Sequence, residues 1–294
     1  MRRNLAPTTI ERLHAPSRGR FEREYLDRNT PVILTGVAEH WGAMQSWDAD
    51  YLERVAGDSE VTVHYRESGS FRDWYVSAQR EDKRMPFAQL LNLVGKGPGD
   101  PRYYMTEHSL RAISPELVKD VDVSGYVDLT PPWEPLLFVG YDTCMPMHLH
   151  ATTEAFLCQI HGEKKITLFS PKQYSRLYPR HWYARSPLFS ELDGRQIHAG
   201  TLDRRRFPRF ERAVPMEFEL HPGEILFIPV HWWHLTSVPG FQISMTCFWK
   251  AKLRNWTFPV PGLQMCAREI LFQARKLSGR LSQTQPPPSS SAYT

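Results

Sequence analysis

The chain has no CxxC pair and few cysteines of any kind: Cys144, Cys158, Cys247 and Cys266 are scattered through 294 residues. That spacing excludes a disulfide-dense secreted scaffold and implies reduced, mostly buried thiols in a cytoplasmic protein. No apolar run reaches membrane-spanning length, so no membrane partner is expected. The basic opening "MRRNLAPTTIERL" lacks the apolar stretch of a signal peptide. Internal repeats are absent as well. Excess charge of one sign is small: 36 Lys and Arg against 32 Asp and Glu leave a formal +4, with much of the surplus in "DRRRFPRFER" at 203–212. So modest a balance argues against nucleic acid as a partner and leaves a small-molecule or peptidyl substrate, acidic ones included.

What the chain does have is apolar and aromatic. A 41% hydrophobic share can supply a sizeable core, in one large domain or two small ones, and the 9 tryptophans favour packed β-structure over a helical bundle. Up to residue 130 helices and strands mix. "FEREYLDRNTPVILTGV" reads as a short helix stopped before Pro31, then an apolar strand. "SWDADYLERVAG" reads as a helix capped by Asp48 and stopped by Gly57. "EVTVHYRE" alternates like a strand, and "MPFAQLLNLVGKG" and "SPELVKDV" read as helices on either side of the strand-like "RYYMTEHSL". From Pro131 the segments "LLFVGYDT", "MPMHLHAT", "AFLCQIHG", "KKITLFSP", "MEFELHPG", "EILFIPVHWW" and "FQISMTCFWK" are short, β-rich and separated by turn residues, the pattern of a sandwich or barrel. A polar and aromatic insertion at 171–215 interrupts them, and long insertions of this kind often serve as lids or substrate loops. "GLQMCAREILFQARKLSG" places Leu263, Cys266, Ile270, Ala274 and Leu277 on one helical stripe, which must pack on the barrel or on a second copy as a homodimer contact. The low-complexity "SQTQPPPSSSAYT" is expected to be disordered.

The chemistry concentrates in "MHLHATTEAFLCQIHGEKK", residues 147–165. Residues two apart on a strand share a face, so His148 and His150 project together and Met147 and Leu149 point the other way. Two such imidazoles can grip a metal, and Glu154 shares their parity if the strand continues; a pair of histidines on an edge strand is the competing reading. About seventy residues later "HPGEILFIPVHWWH" carries His231 and His234, which face opposite sides of an extended chain, so one of them can meet the first pair.

Taken in order, these motifs resemble the cupin superfamily, and within it the JmjC and cupin-like oxygenases related to factor inhibiting HIF. His148, His150, Glu154 and Gly162 match the first motif, and Gly223, Pro229 and His234 match the second. The flanks "TPVILTGVAEHWGAMQSW", "GEKKITLFSPKQYSRLYP" and "FIPVHWWH" extend the similarity over about residues 20–250. The resemblance implies a mainly β protein: a double-stranded β-helix (jelly roll) at 131–252, an N-terminal helical and β extension at 1–130, a C-terminal helix at 253–279 and a tail at 280–294. It further implies a non-haem Fe(II) oxygenase that uses 2-oxoglutarate as cosubstrate and hydroxylates a small-molecule, amino-acid or peptidyl substrate, with His148, His150 and His234 as metal ligands.

One departure stands out. The related enzymes carry His-x-Asp, and here His150 occupies the aspartate position. Three nitrogens suit Fe, Cu or Zn on ligand grounds. If Glu154 also binds, as in three-His, one-Glu cupins, a 2-oxoglutarate-independent dioxygenase, oxidase or lyase follows; lost catalysis would leave a binding protein. The stretch from His148 to Gly162 is one residue longer than in the relatives, which suggests a bulge with Glu154 near the metal. By the same resemblance Lys164 and Tyr104 anchor the cosubstrate carboxylate, Thr143 offers a hydroxyl, and Cys247 stands where the family has an asparagine. Arg204, Arg205, Arg206 and Trp249 are the candidate substrate contacts. His231 and His161 are set aside as non-ligands.

Overall fold

The computed structural model describes residues 9–277 apart from 69–70, 72–74, 76–80, 183, 185 and 259; the tail at 280–294 lies outside the described residues. Thirteen strands form two sheets among these residues. They are β1 (Arg12–His14), β2 (Val32–Thr35), β3 (Glu60–Tyr65), β4 (Asp82–Pro86), β5 (Tyr103–Ser109), β6 (Pro135–Tyr141), β7 (Cys144–His148), β8 (Thr153–His161), β9 (Lys164–Phe169), β10 (Met216–Leu220), β11 (Ile225–Ile228), β12 (Trp233–Ser237) and β13 (Phe241–Lys250). The nine-stranded sheet runs β1-β2-β11-β8-β13-β6-β5-β3-β4, and the four-stranded sheet runs β10-β9-β12-β7. β1 joins β2 in parallel. The chain is mainly β, a two-sheet jelly roll whose larger sheet is lengthened by β1 to β5.

Burial on both faces of the large sheet explains why its central strands read as continuous apolar runs. In β8 every residue except His161 is buried. The side chains alternate between two layers. Phe156 and Cys158 join Ile243, Met245 and Cys247 in a core shared with the N-terminal helices, which include α1 (Ala49–Ala56) and α2 (Phe87–Val94). Ala155 and Leu157 point instead into the jelly roll, with Phe138, Leu168, Ile228 and Phe248. A third layer covers the outer face of the small sheet. There Met147, Leu149, Trp233 and Leu235 meet Leu177, Leu188, Leu192 and Phe207 of the insertion. The insertion therefore works mainly as a cover on the back of the small sheet.

Local signals decide several boundaries. Asp48 accepts a hydrogen bond from the Tyr51 N–H at 2.7 Å and caps α1, as its sequence implies. Gly162, at φ 77°, closes the β8–β9 turn; a Cβ there would lie 2.5 Å from the Phe241 carbonyl oxygen. "SPELVKDV", expected to be a helix, yields one 3-10 turn, Leu117–Asp120. In the C-terminal helix, α3 (Val260–Leu277), the first three residues of the stripe are not seated on the barrel. Leu263 is 58% and Ile270 69% exposed, and Cys266 is exposed too. It is the other side of α3 that binds: Arg268 donates to the Ala184 carbonyl at 2.8 Å, and Gln264 accepts from the Tyr174 hydroxyl. No helix of the described residues is long and apolar enough to cross a membrane.

Candidate metal centre and its cavity

β7 and β12 lie side by side with His148 and His234 directly paired. Two residues beyond the end of β7, His150 projects to the same side. The ring centroids are 4.1 Å apart for His148 and His234, 4.6 Å for His150 and His234, and 5.6 Å for His148 and His150. One ring nitrogen from each lies within 4.8 Å of the others, a grouping able to hold a metal ion.

The hydrogen bonds suit that use. Nδ1 of His148 donates to the Pro146 carbonyl at 2.8 Å, and Nδ1 of His234 to the Trp232 carbonyl at 3.1 Å. Each bond fixes the tautomer and frees the Nε2 lone pair. Burial pushes His148 down to about 4; His150 and His234 are also pushed well below the usual imidazole range, by burial first and then by their histidine neighbours. Neutral imidazoles are the form a metal requires. His150 differs from the others, because its Nδ1 is buried with no hydrogen-bond partner among the described residues. Its backbone is held instead by His231, whose N–H donates to the His150 carbonyl at 3.0 Å and whose ring donates to the Ala151 carbonyl at 2.9 Å. His231 is fully buried and adopts φ 69°, a left-handed conformation uncommon for a side-chain-bearing residue. It stands outside the three-histidine group and clamps the turn that carries His150.

The histidines open on a cavity of about 500 Å³, its mouth included, walled by Phe138, Met145, Leu157, Ile228 and Phe248. Its polar lining includes Lys164, Tyr104, Glu107 and Thr246. Lys164 is buried and turned inward while Lys165 is exposed, which resolves the choice within the lysine pair. Its ammonium donates to the Ser244 hydroxyl at 2.7 Å, and burial alone pushes it down to about 7. No carboxylate pairs with it among the described residues. Tyr104 is buried on the same wall, and burial raises its hydroxyl above the usual range. Thr143 hydrogen-bonds to the Tyr104 side chain and does not line the cavity.

Several expectations are corrected. Glu154 does not join the histidines. The chain leaves the small sheet after His148 and enters the large one at Thr153, so parity counted from His148 does not reach Glu154. Within β8 it shares the outward parity of Phe156 and Cys158. There its carboxylate accepts from Trp249 Nε1 at 2.9 Å and from Asn255 Nδ2 at 2.8 Å. A bulge does occur in β8, near its far end: Ile243 pairs with His161 and Ser244 with Gln159. Trp249 shares Glu154's side of the sheet and does not line the cavity. Cys247 faces the same outer core, so Thr246, not Cys247, meets the cavity. Arg204, Arg205 and Arg206 are exposed and do not line the cavity; Asp203 accepts from the N–H groups of Arg205 and Arg206 in a surface turn. From the insertion it is Phe189 that reaches the site, stacking on His148 with centroids 5.1 Å apart.

Burial pushes Glu154 up to about 7 against its two donors. A raised carboxylate binds its proton more tightly when folded, so the stability this contributes is complete below the ordinary value near 4.5 and lost as pH rises through 7. Glu154→Gln is therefore expected to flatten the fall in Tm between about pH 5 and 8 while metal content stays at the wild-type level. Metal loss in that variant would return Glu154 to the centre.

A cupin-like domain model matches residues 18–255. The chain belongs to the cupin-like family. This cupin-like protein is 31% identical over 247 residues to lysine-specific demethylase 8 of Xenopus tropicalis, covering 82% of the chain and 53% of that protein. It is 30% identical over 268 residues to the Danio rerio protein of the same name, covering 83% and 59%. A tRNA wybutosine-synthesizing protein 5 from Gallus gallus is 23% identical over 257 residues, covering 82% and 77%. The chain thus spans little more than half the length of the two demethylases.

Proposed function

We propose that the protein is an Fe(II)- and 2-oxoglutarate-dependent oxygenase that hydroxylates a small-molecule, amino-acid or peptidyl substrate. The observation carrying this reading is the pairing, in one cavity, of three clustered, buried imidazoles with a buried lysine that has no carboxylate partner among the described residues. His148, His150 and His234 would hold the iron, which when bound supplies oxygen activation coupled to decarboxylation of 2-oxoglutarate. A three-nitrogen set leaves as many positions open as two histidines and a carboxylate do. It also lacks the negative charge that a carboxylate would bring.

The remaining residues bind and exclude. Lys164 and Tyr104 offer an ammonium and a phenol to the far carboxylate of 2-oxoglutarate. Phe138, Leu157 and Phe248 keep water from the space between. The 2-oxoglutarate-independent reading needed Glu154 on the metal, and its bonds to Trp249 and Asn255 on the other face of β8 speak against it. The relatives' names refer to different substrates, a lysine in one case and a tRNA in the other. Free thiols suit the cytoplasm. Anaerobic purification, metal analysis and succinate formation from 2-oxoglutarate test the reading together. Stoichiometric iron with 2-oxoglutarate-dependent succinate is expected; a metal-loaded protein with no affinity for 2-oxoglutarate would overturn it.

The open stripe of α3 supports a homodimer. If Leu263 and Ile270 meet a second copy, Ile270→Glu will convert a dimer to a monomer in sedimentation equilibrium. A wild-type monomer at micromolar concentration would refute this.

A further inference from the structure

We infer that Gln242 is a positioning residue that sets the direction of the hydrogen bonds behind Lys164 and Tyr104, so that both groups present donors to the cavity. This rests on the 2-oxoglutarate reading and adds two residues, Gln242 and Ser244, to its anion-binding wall.

Gln242 and Ser244 occupy the inward-facing positions of β13 and are fully buried. A chain of hydrogen bonds links them to both sheets. Lys164 Nζ donates to Ser244 Oγ at 2.7 Å, Ser244 Oγ donates to Gln242 Oε1 at 3.2 Å, and Gln242 Nε2 donates to Tyr104 Oη at 3.5 Å. The direction follows from the donor inventory. An ammonium can only donate, so Ser244 accepts from Lys164 and must pass its own proton onward. That proton needs an acceptor, which fixes the carbonyl end of Gln242 toward Ser244. The amide NH2 is then turned to Tyr104. With Gln242 donating to Tyr104 Oη, and Thr143 bonded to it as well, the phenolic O–H is left to point elsewhere.

The sheet provides the space for this reach. Gly140 on β6 pairs with Tyr104 on one side and with Gln242 on the other. A Cβ at Gly140 would lie 2.7 Å from Tyr104 Cδ2 and 2.6 Å from Thr143 Cγ2. The missing side chain is the gap across which Gln242 meets the phenol. Lys164 and Tyr104 thus offer N–H and O–H groups, which suit a ligand end that only accepts, a carboxylate, while the Glu107 carboxylate lines another part of the cavity.

The test is calorimetric titration of the full-length, metal-loaded protein with 2-oxoglutarate under anaerobic conditions. Gln242→Glu places a carboxylate that accepts from both neighbours, draws the Tyr104 proton away from the ligand and competes for Lys164. Affinity should fall roughly tenfold or more, the loss of one hydrogen bond to a charged group. Gln242→Met, which needs no ionised group to fold, should weaken binding in the wild-type background and have a smaller effect in Tyr104→Phe, where only the Ser244–Lys164 branch of its action remains. Additive losses in that double mutant would overturn the inference, and so would wild-type affinity in Gln242→Glu, with the 2-oxoglutarate reading intact in either case. If the wild-type protein itself does not bind 2-oxoglutarate, the reading fails and the inference fails with it.

Discussion

His234→Ala is expected to empty the metal centre and leave the fold in place. His234 faces His148 directly across β12 and β7, and its ring is within 4.6 Å of that of His150, so it is the member of the group nearest to both others. Removing it leaves two nitrogens, and two histidines without a carboxylate make a weak site. The loss should exceed the roughly 10–100-fold in affinity that removal of an outer-shell partner costs. Truncating a buried side chain beside an existing cavity should cost about 2 kcal/mol, survivable for a domain of this size. His148→Ala should behave alike and also lose the stack on Phe189. His150→Asp should keep metal, because the aspartate would restore two histidines and a carboxylate at the same position. Elemental analysis after dialysis checks all three, and full occupancy in His234→Ala would rule out the assignment.

Lys164→Ala should weaken 2-oxoglutarate binding by roughly 100-fold, about 3 kcal/mol, since a carboxylate held in a largely dry cavity loses its charged partner. Binding should also depend on pH with a definite sign. Burial holds Lys164 at about 7 in the ligand-free protein, against an ordinary 10.5. A dianion prefers the ammonium, so below about pH 7 the site is ready charged and affinity is flat. Above it, binding must take up a proton, and affinity should fall by up to about tenfold per pH unit. The same depressed value makes the ligand-free protein gain stability as pH rises from about 7 toward 10.5, where only the unfolded chain holds the proton. Lys164→Met should remove both trends. Titrations between pH 6 and 9 decide the matter: a flat wild-type profile would show that Lys164 is charged before the ligand arrives.

Much of the site was legible along the chain because it depends on short-range regularities. Period-two alternation placed His148 with His150, set Met147 and Leu149 against them, and limited the inward lysine to one of Lys164 and Lys165. Glycine at 162 and the spacing to His234 supplied the family resemblance, and with it the jelly roll. Gln242 and Ser244 carried a weaker signal: two polar residues at alternate positions in the apolar run "FQISMTCFWK" mark an inward polar face, visible once Cys247 is assigned to the other side.

The tertiary structure decided whatever required knowing which sheet a residue belongs to. Glu154 is the sharpest case, since a strand's alternation carries no meaning past the point where the chain crosses between sheets, and that crossing falls between His148 and Thr153. The insertion's position on the back of the small sheet, the exposure of the α3 stripe and the clamp by His231 are likewise contacts between segments far apart in sequence. Local sequence determines which side of its own strand a residue takes; only the packing of the strands determines what lies on that side.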